Sequence, residues 1–323
     1  MKKILAFATF LILIAGCQKN ETEILVNSSV YHPMDCYVGL KGAAIGQVIN
    51  AAYLDKINET LISSGVNYRL AMAELITAAG SGENGRTVYS KYVGDKQLSA
   101  HFVPGDPRRE WSAGNGMQIT YAIDQTLDIV PPFGLATGVE ATQAVVNAFT
   151  TWDNIKSTSL GLTRNNDYGM DIGYVAYSYG GGSPYVFADI QMAGFRDLSF
   201  AEGVLGVTFT FVFIEGGEYT DIDGNGKMDA AFREIYFDPY WYWGVNYETI
   251  AIDIESIALH EIGHGLSQAH FGTVFTDQKG NLKASPRAVM NALYFEPLRN
   301  LQKSDIGGHS SIWGIWTFTT DPI

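Results

Sequence analysis

Eleven consecutive residues constrain this chain more than any other stretch: His-Glu-Ile-Gly-His-Gly-Leu-Ser-Gln-Ala-His at positions 260–270. His260 and His264 lie four residues apart, and on an α-helix that spacing stacks two imidazoles on one face, where they can share a metal ion. Glu261 stands beside the first and can reach a metal-held water as general base. His270 is the third candidate ligand, yet on an unbroken helix it would lie about 15 Å from His260, at a rise of about 1.5 Å per residue. The chain must therefore leave the helix soon after His264, and Gly265 offers a place to do so. Three imidazoles leave a tetrahedral zinc one open position for water, whose pKa the ion lowers to about 7, the arrangement of a catalytic site.

The rest of the chain reads as mixed α and β. With 35 glycines, 18 tyrosines and six tryptophans, turns and strands are expected rather than a helical bundle. Residues 41–79 read as helical, from Ile45, Val48, Ile49, Ala52 and Leu54 and then Leu70, Ala73 and Leu75. A turn at 80–86 leads to a strand over Thr87–Val93, and together these form a small α+β segment. Pro104–Pro107 and Gly114–Gly116 punctuate the next boundary. Beyond it, Ile119–Ile123 reads as a strand, and 139–155 as an amphipathic helix with Thr142, Val145, Phe149 and Trp152 on one face. Strands are expected near Ile172–Ala176, Tyr185–Met192, Val204–Ile214 and 234–238, the metal-binding helix over 253–267, and a short last helix starting at Ser304-Asp305 with Ser304 as N-cap.

The 260–270 stretch resembles the long zinc signature of metzincin peptidases, H-E-x-x-H-x-x-G-x-x-H, and is similar to the matrixin branch. The family glycine that turns the chain falls at Ser267. Either Ser267 adopts positive φ, at about 1–2 kcal/mol against glycine, or Gly265 moves the turn earlier. The family's Met-turn falls on Ser285-Pro286-Arg287-Ala288-Val289-Met290-Asn291, with Met290 beneath the metal; Tyr294 follows at a spacing that does not match the family's oxyanion tyrosine. The order of elements from 119 to about 315 also follows the matrixins. The resemblance implies a zinc metalloendopeptidase acting on protein or peptide substrates. Its fold would be α+β: a twisted, mostly parallel sheet with an active-site helix and a Met-turn over 119–323, preceded by the α+β segment of 41–118. Strand 204–214 would form the open edge that pairs with an extended substrate, and Leu293 and Phe295 would wall an apolar pocket.

Lys2 and Lys3, the apolar run Ile4–Ala15 and the small residues before Cys17 read as a signal peptide over 1–16, followed by an anchor and tether over 17–40. Ile14-Ala15-Gly16-Cys17 resembles a bacterial lipobox, which implies an exported lipoprotein held to a membrane through lipid on Cys17, facing the periplasm or the cell surface. If Cys17 is acylated, the second cysteine, Cys36, has no disulfide partner within the chain. A cysteine latch on the metal is one role for it, although His32-Pro33-Met34-Asp35-Cys36 does not match the latch motif of matrixin precursors; an idle buried thiol is the other. The formal net charge of −13 disfavours nucleic acid as a partner.

Asp221-Ile222-Asp223-Gly224-Asn225-Gly226-Lys227-Met228-Asp229 places oxygen ligands at alternating positions with glycine sixth, as a structural calcium loop does. The candidate ligands are Asp221, Asp223, Asn225, Asp229 and, in place of the usual bidentate glutamate, Glu234; an acidic surface turn is the alternative. A second functional class also fits the chain: a surface-anchored zinc protein without general proteolytic activity, acting as a binding module or on a single partner.

Overall fold

The structure is a computed structural model that describes residues 32–38, 48–93, 99–124, 129–165, 169, 171–198, 200–246, 251–280, 282–314 and 316. Cys17, the leader and most of the tether lie outside the described residues. A 3-10 turn (Pro33–Cys36) precedes helix α1 (Ala51–Ser63), strand β1 (Tyr68–Ala78), strand β2 (Arg86–Tyr89) and the short β3 (Ala100–His101). Then come β4 (Ile119–Ile123), α2 (Gly138–Asp153), β5 (Leu162–Arg164), the four-residue α3 (Tyr174–Tyr177), β6 (Ile190–Phe195), β7 (Val204–Glu215), β8 (Glu218–Tyr219) and β9 (Met228–Phe237). The C-terminal part holds β10 (Trp243–Gly244), β11 (Ile252–Asp253), α4 (Ile254–Gly265), the β12–β13 hairpin (Thr273–Thr276, Leu282–Ser285), β14 (Leu293–Tyr294) and α5 (Lys303–Trp313).

The main sheet runs β14-β1-β7-β9-β6-β4-β5. Along that path every strand points the same way except β7, which is antiparallel to both neighbours. The expected α+β class and largely parallel sheet therefore describe the molecule.

The N-terminal part differs most from the sequence reading. Residues 68–78 are not helical but form the longest-buried strand of the segment, β1, and the helix is confined to Ala51–Ser63. Ten of the eleven β1 residues are buried, because β1 is covered on both faces. A strand buried on both faces reads as a continuous apolar run, which periodicity cannot separate from a buried helix. Ile172–Ala176, expected as a strand, likewise turns into α3, where Glu234 accepts from the first-turn N–H groups of Tyr174 (2.5 Å) and Val175 (3.0 Å).

β1 also overturns the expected open edge. It hydrogen-bonds along β7 from Tyr68↔Phe213 to Thr77↔Val204, so β7 is an interior strand. The outer side of β1 pairs in turn with β2, over Met72–Leu75, and with β14, over Thr77–Ala78. The segment expected to precede the main domain thus supplies a strand to its sheet, and the described residues from His32 onward form one unit.

Successive residues of β7 address opposite faces of the sheet. Thr208 meets Glu261 of α4 on one face, while Phe209 stacks near Tyr53 of α1 on the other, with ring centroids 6.2 Å apart. Helices α2 and α4 pack together on the first face, where Trp152 Nε1 donates to Leu259 O at 2.8 Å. The opposite face carries an apolar core in which Tyr53, Leu54, Ile57 and Leu61 of α1 and Leu70, Ala73 and Leu75 of β1 pack with Phe209, Phe211, Phe213 and Tyr236.

Candidate metal centre

Helix α4 carries the centre and is fixed at both ends. At its start, Asp253 caps the helix by accepting from Ser256 N at 2.9 Å, and Arg299 pairs with the same carboxylate. At its end, Ser267 N donates to His264 O (2.9 Å) and Gln268 N to Gly263 O (3.0 Å), with Ser267 at φ 69°. This is the Schellman closure with serine in the left-handed position where glycine is usual. Of the two alternatives for the missing glycine, Ser267 itself takes positive φ. Its hydroxyl accepts from Nη2 of the buried Arg233 at 3.0 Å, and Arg233 Nη1 donates to Gly265 O at the same distance. A Ser267→Ala change keeps the strained backbone and removes an acceptor from a charged donor, so it should cost about 1.5–3 kcal/mol. Ser267→Gly loses the same bond but relieves about 1–2 kcal/mol of strain, and should fall near wild type; urea unfolding midpoints of the two variants check this order.

The turn brings the third histidine back to the first two. His264 Nε2 lies 3.1 Å from His260 Nε2 and 3.2 Å from His270 Nε2, and the three ligand nitrogens lie within 4.8 Å of one another. Nδ1 of His260 donates to Val289 O and Nδ1 of His264 to Gln268 O, each at 2.7 Å, roles assigned from the carbonyl partners. The Nε2 atoms of both rings therefore present lone pairs inward. Lone pairs facing one another this closely in a dry interior call for a cation between them. Zn–N bonds of about 2.0–2.1 Å in a tetrahedron require N···N edges of about 3.3–3.4 Å, close to the separations found. Burial, and then the neighbouring imidazoles, hold His260 well below the usual histidine range; burial and His264 do the same for His270. Both are thus neutral ligands. Burial is the largest influence on His264 and pulls it down, but the carboxylates of Glu74 and Glu261 and the Gln268 carbonyl together leave it raised.

Glu261 is fully buried beside this cluster. Its Oε2 accepts from the Thr208 hydroxyl at 2.6 Å, whereas Oε1 is buried with no hydrogen-bond partner. Burial pushes the carboxyl up to about 8, with His264 and Thr208 pulling the other way. A carboxyl in that range exchanges a proton readily near neutral pH. Strand β7 fits over it because Gly206 has no side chain: a Cβ there would lie 2.9 Å from Glu261 Oε1.

Met290 is buried beneath the helix, and a Cβ on Gly263 would lie 2.3 Å from its Sδ, so this floor requires the glycine within His-Glu-Ile-Gly-His. The turn is pinned by Asp305, which accepts from Val289 N (2.9 Å) and Met290 N (3.1 Å). α5 begins at Lys303 with Gln302 as N-cap, not Ser304, and Asp305 also accepts from Gln302 N at 2.7 Å. Tyr294 lies at the other end of α4, where its hydroxyl accepts from Asp253 N at 3.2 Å. Leu293 is buried in β14, paired with Thr77 of β1, and Phe295 is half-buried.

Cys36 is buried in the 3-10 turn, where its carbonyl accepts from Tyr242 N, and its thiol is not among the ligand atoms that converge with the three histidines. In the 221–229 turn, carboxylate oxygens of Asp221, Asp223 and Asp229 come within 4.8 Å of one another. Asn225 turns its amide oxygen to Lys227 N and donates from Nδ2 to Asp223, while Asp229 pairs with Arg108 at 2.8 Å. Glu234 does not join them: it is buried in β9 and is taken up by Tyr174, Val175, Gln191 and Tyr236.

Sequence reasoning missed Thr208 and Glu74, which sheet pairing delivers to α4, and read Asp305 only as part of a helix start. No local pattern marks any of them as part of the centre. No family profile matches the chain. Among curated proteins it is similar to Metalloendoproteinase 4-MMP of Arabidopsis thaliana, at 24% identity over 220 residues, 66% of this chain and 50% of the relative. The chain thus spans about half the length of that relative, a distant homologue that supports a metalloprotease.

Proposed function

We propose that this chain is a zinc-dependent endopeptidase of matrixin-like character, with the ion held by His260, His264 and His270 and Glu261 as the proton carrier. The convergence of three inward-facing imidazoles beside a buried carboxylate with one unpartnered oxygen carries the reading. Bound there, zinc would supply Lewis acidity toward the scissile carbonyl and acidify a water. The protein does the rest. Val289 and Gln268 carbonyls fix the ligand tautomers, and Thr208 anchors one oxygen of Glu261 and leaves the other without a hydrogen-bond partner. Glu261 takes a proton from water as the water oxygen bonds to the scissile carbonyl carbon, and returns that proton to the amine nitrogen as the C–N bond breaks, which balances the cleavage. Cys17 would carry the lipid that holds the exported enzyme at a membrane.

The edge of β7 has no part in substrate docking here, since β1 occupies it. That observation, with Glu261 fully buried, favours a narrow substrate range, or a single partner, over a general scavenger. The test is incubation of the purified protein with casein and with a library of short peptides, fragments being read by mass spectrometry. Fragments that vanish with a chelator and return with zinc support the proposal. Fragments that persist under chelation contradict it.

A further inference from the structure

Strand β1 contributes more than an edge. Its register sets Glu74 opposite Thr208 of β7, so both side chains leave the sheet on the face that meets α4. Thr208 takes hold of Glu261. Glu74 reaches the next functional position on the helix: its Oε1 lies 3.2 Å from Nδ1 of His264, a second acceptor beside the Gln268 carbonyl at 2.7 Å, with both side chains buried. The two strands thus form a paired platform, one residue for the proton carrier and one for a ligand.

We propose that Glu74 is a positioning residue of the metal centre, a buried carboxylate that orients the His264 ring from its outer nitrogen and makes it a stronger donor to the ion. The proposal rests on reading 260–270 as a zinc site. A carboxylate behind a ligating imidazole fixes ring orientation and raises ligand basicity.

The competing role is purely structural: Glu74 could serve as a distant counter-charge for Arg233, which is also fully buried. Arg233 directs its donors to Thr210 Oγ1, Gly265 O, Ala100 O and Ser267 Oγ. Among the described residues no carboxylate lies within 4.0 Å of it. A counter-charge role would change folding stability and leave metal binding as it is.

The experiment strips the full chain of metal. It then measures zinc affinity by competition with a chromophoric chelator, and records the visible absorption of the cobalt(II) form as a signature of ligand geometry. Glu74→Gln, nearly isosteric, is expected to weaken zinc about 10–100-fold and to alter the cobalt bands. Glu74→Asp keeps the charge and should lose less. Glu83→Gln, an exposed carboxylate of the same segment paired with Arg86, should match wild type. A folded Glu74→Gln chain with wild-type zinc affinity and cobalt bands, whatever its melting temperature, overturns the proposal. Should Glu74→Gln fail to fold, Glu74→Asp decides: affinity between wild type and tenfold weaker supports the role, and wild-type affinity with unchanged cobalt bands sinks it. Wild-type protein that binds one zinc yet cuts no peptide would refute the peptidase reading alone, while absence of any zinc binding would refute both.

Discussion

Glu261→Ala is expected to lower peptide hydrolysis by at least about 100-fold, the smaller end of what a positioned acid–base group contributes, while the protein still binds one zinc. The two effects separate because Glu261 is not among the converging ligand nitrogens. Its removal also spares the fold. Burial of an ionisable carboxyl with one oxygen unpartnered is a cost to the native state, and alanine removes it. The Thr208 hydroxyl, which loses its 2.6 Å acceptor, keeps the Glu261 carbonyl at 3.1 Å, so no new orphan is created. The variant should therefore melt at or above the wild-type temperature. Casein turnover measured beside zinc content is the check; turnover that survives at full zinc loading removes Glu261 from the mechanism.

Deleting residues 1–98 is expected to leave an insoluble or unfolded chain rather than an activated enzyme. In the matrixin-like reading this stretch sits where a removable precursor segment would, but its side chains are part of the core. Ile49, Tyr53, Leu54, Ile57, Leu61, Tyr68, Leu70 and Leu75 are all buried there. At about 1.5–3 kcal/mol for each large apolar side chain, their loss outweighs the about 5–15 kcal/mol by which domains are stable. The deletion would also bare Phe209, Phe211 and Phe213 and open the β7 edge to other chains. Near-ultraviolet circular dichroism and solubility of residues 99–323 test this. A soluble, cooperatively folding fragment that cuts casein faster than the full chain would make the segment a propeptide.

The features legible in the sequence are those set by short-range spacing. His260, Glu261 and His264 sit on one helix, and the need to leave it before His270 follows from helix rise alone; Ser267 meets that need with φ 69°. Ile119–Ile123 and the helix with Phe149 and Trp152 on its inner face were legible for the same reason. What escaped depends on pairing across long sequence separations. β1 reads as helix because α1 covers one of its faces and α4 lies against the other, which erases the alternation that marks a strand. Glu74 and Thr208 acquire meaning only once β1 and β7 are side by side above α4. Glu234 follows the acidic turn closely enough in sequence to look like a calcium ligand, but β9 carries it into the core to hold the start of α3.

The most direct test of the central claim is a zinc titration of the metal-free full chain, following peptide cleavage and bound zinc together. Cleavage absent without metal, rising with zinc and levelling at one equivalent, is the predicted result. Cleavage by the metal-free chain, or none when one equivalent is bound across a broad peptide library, would contradict the account.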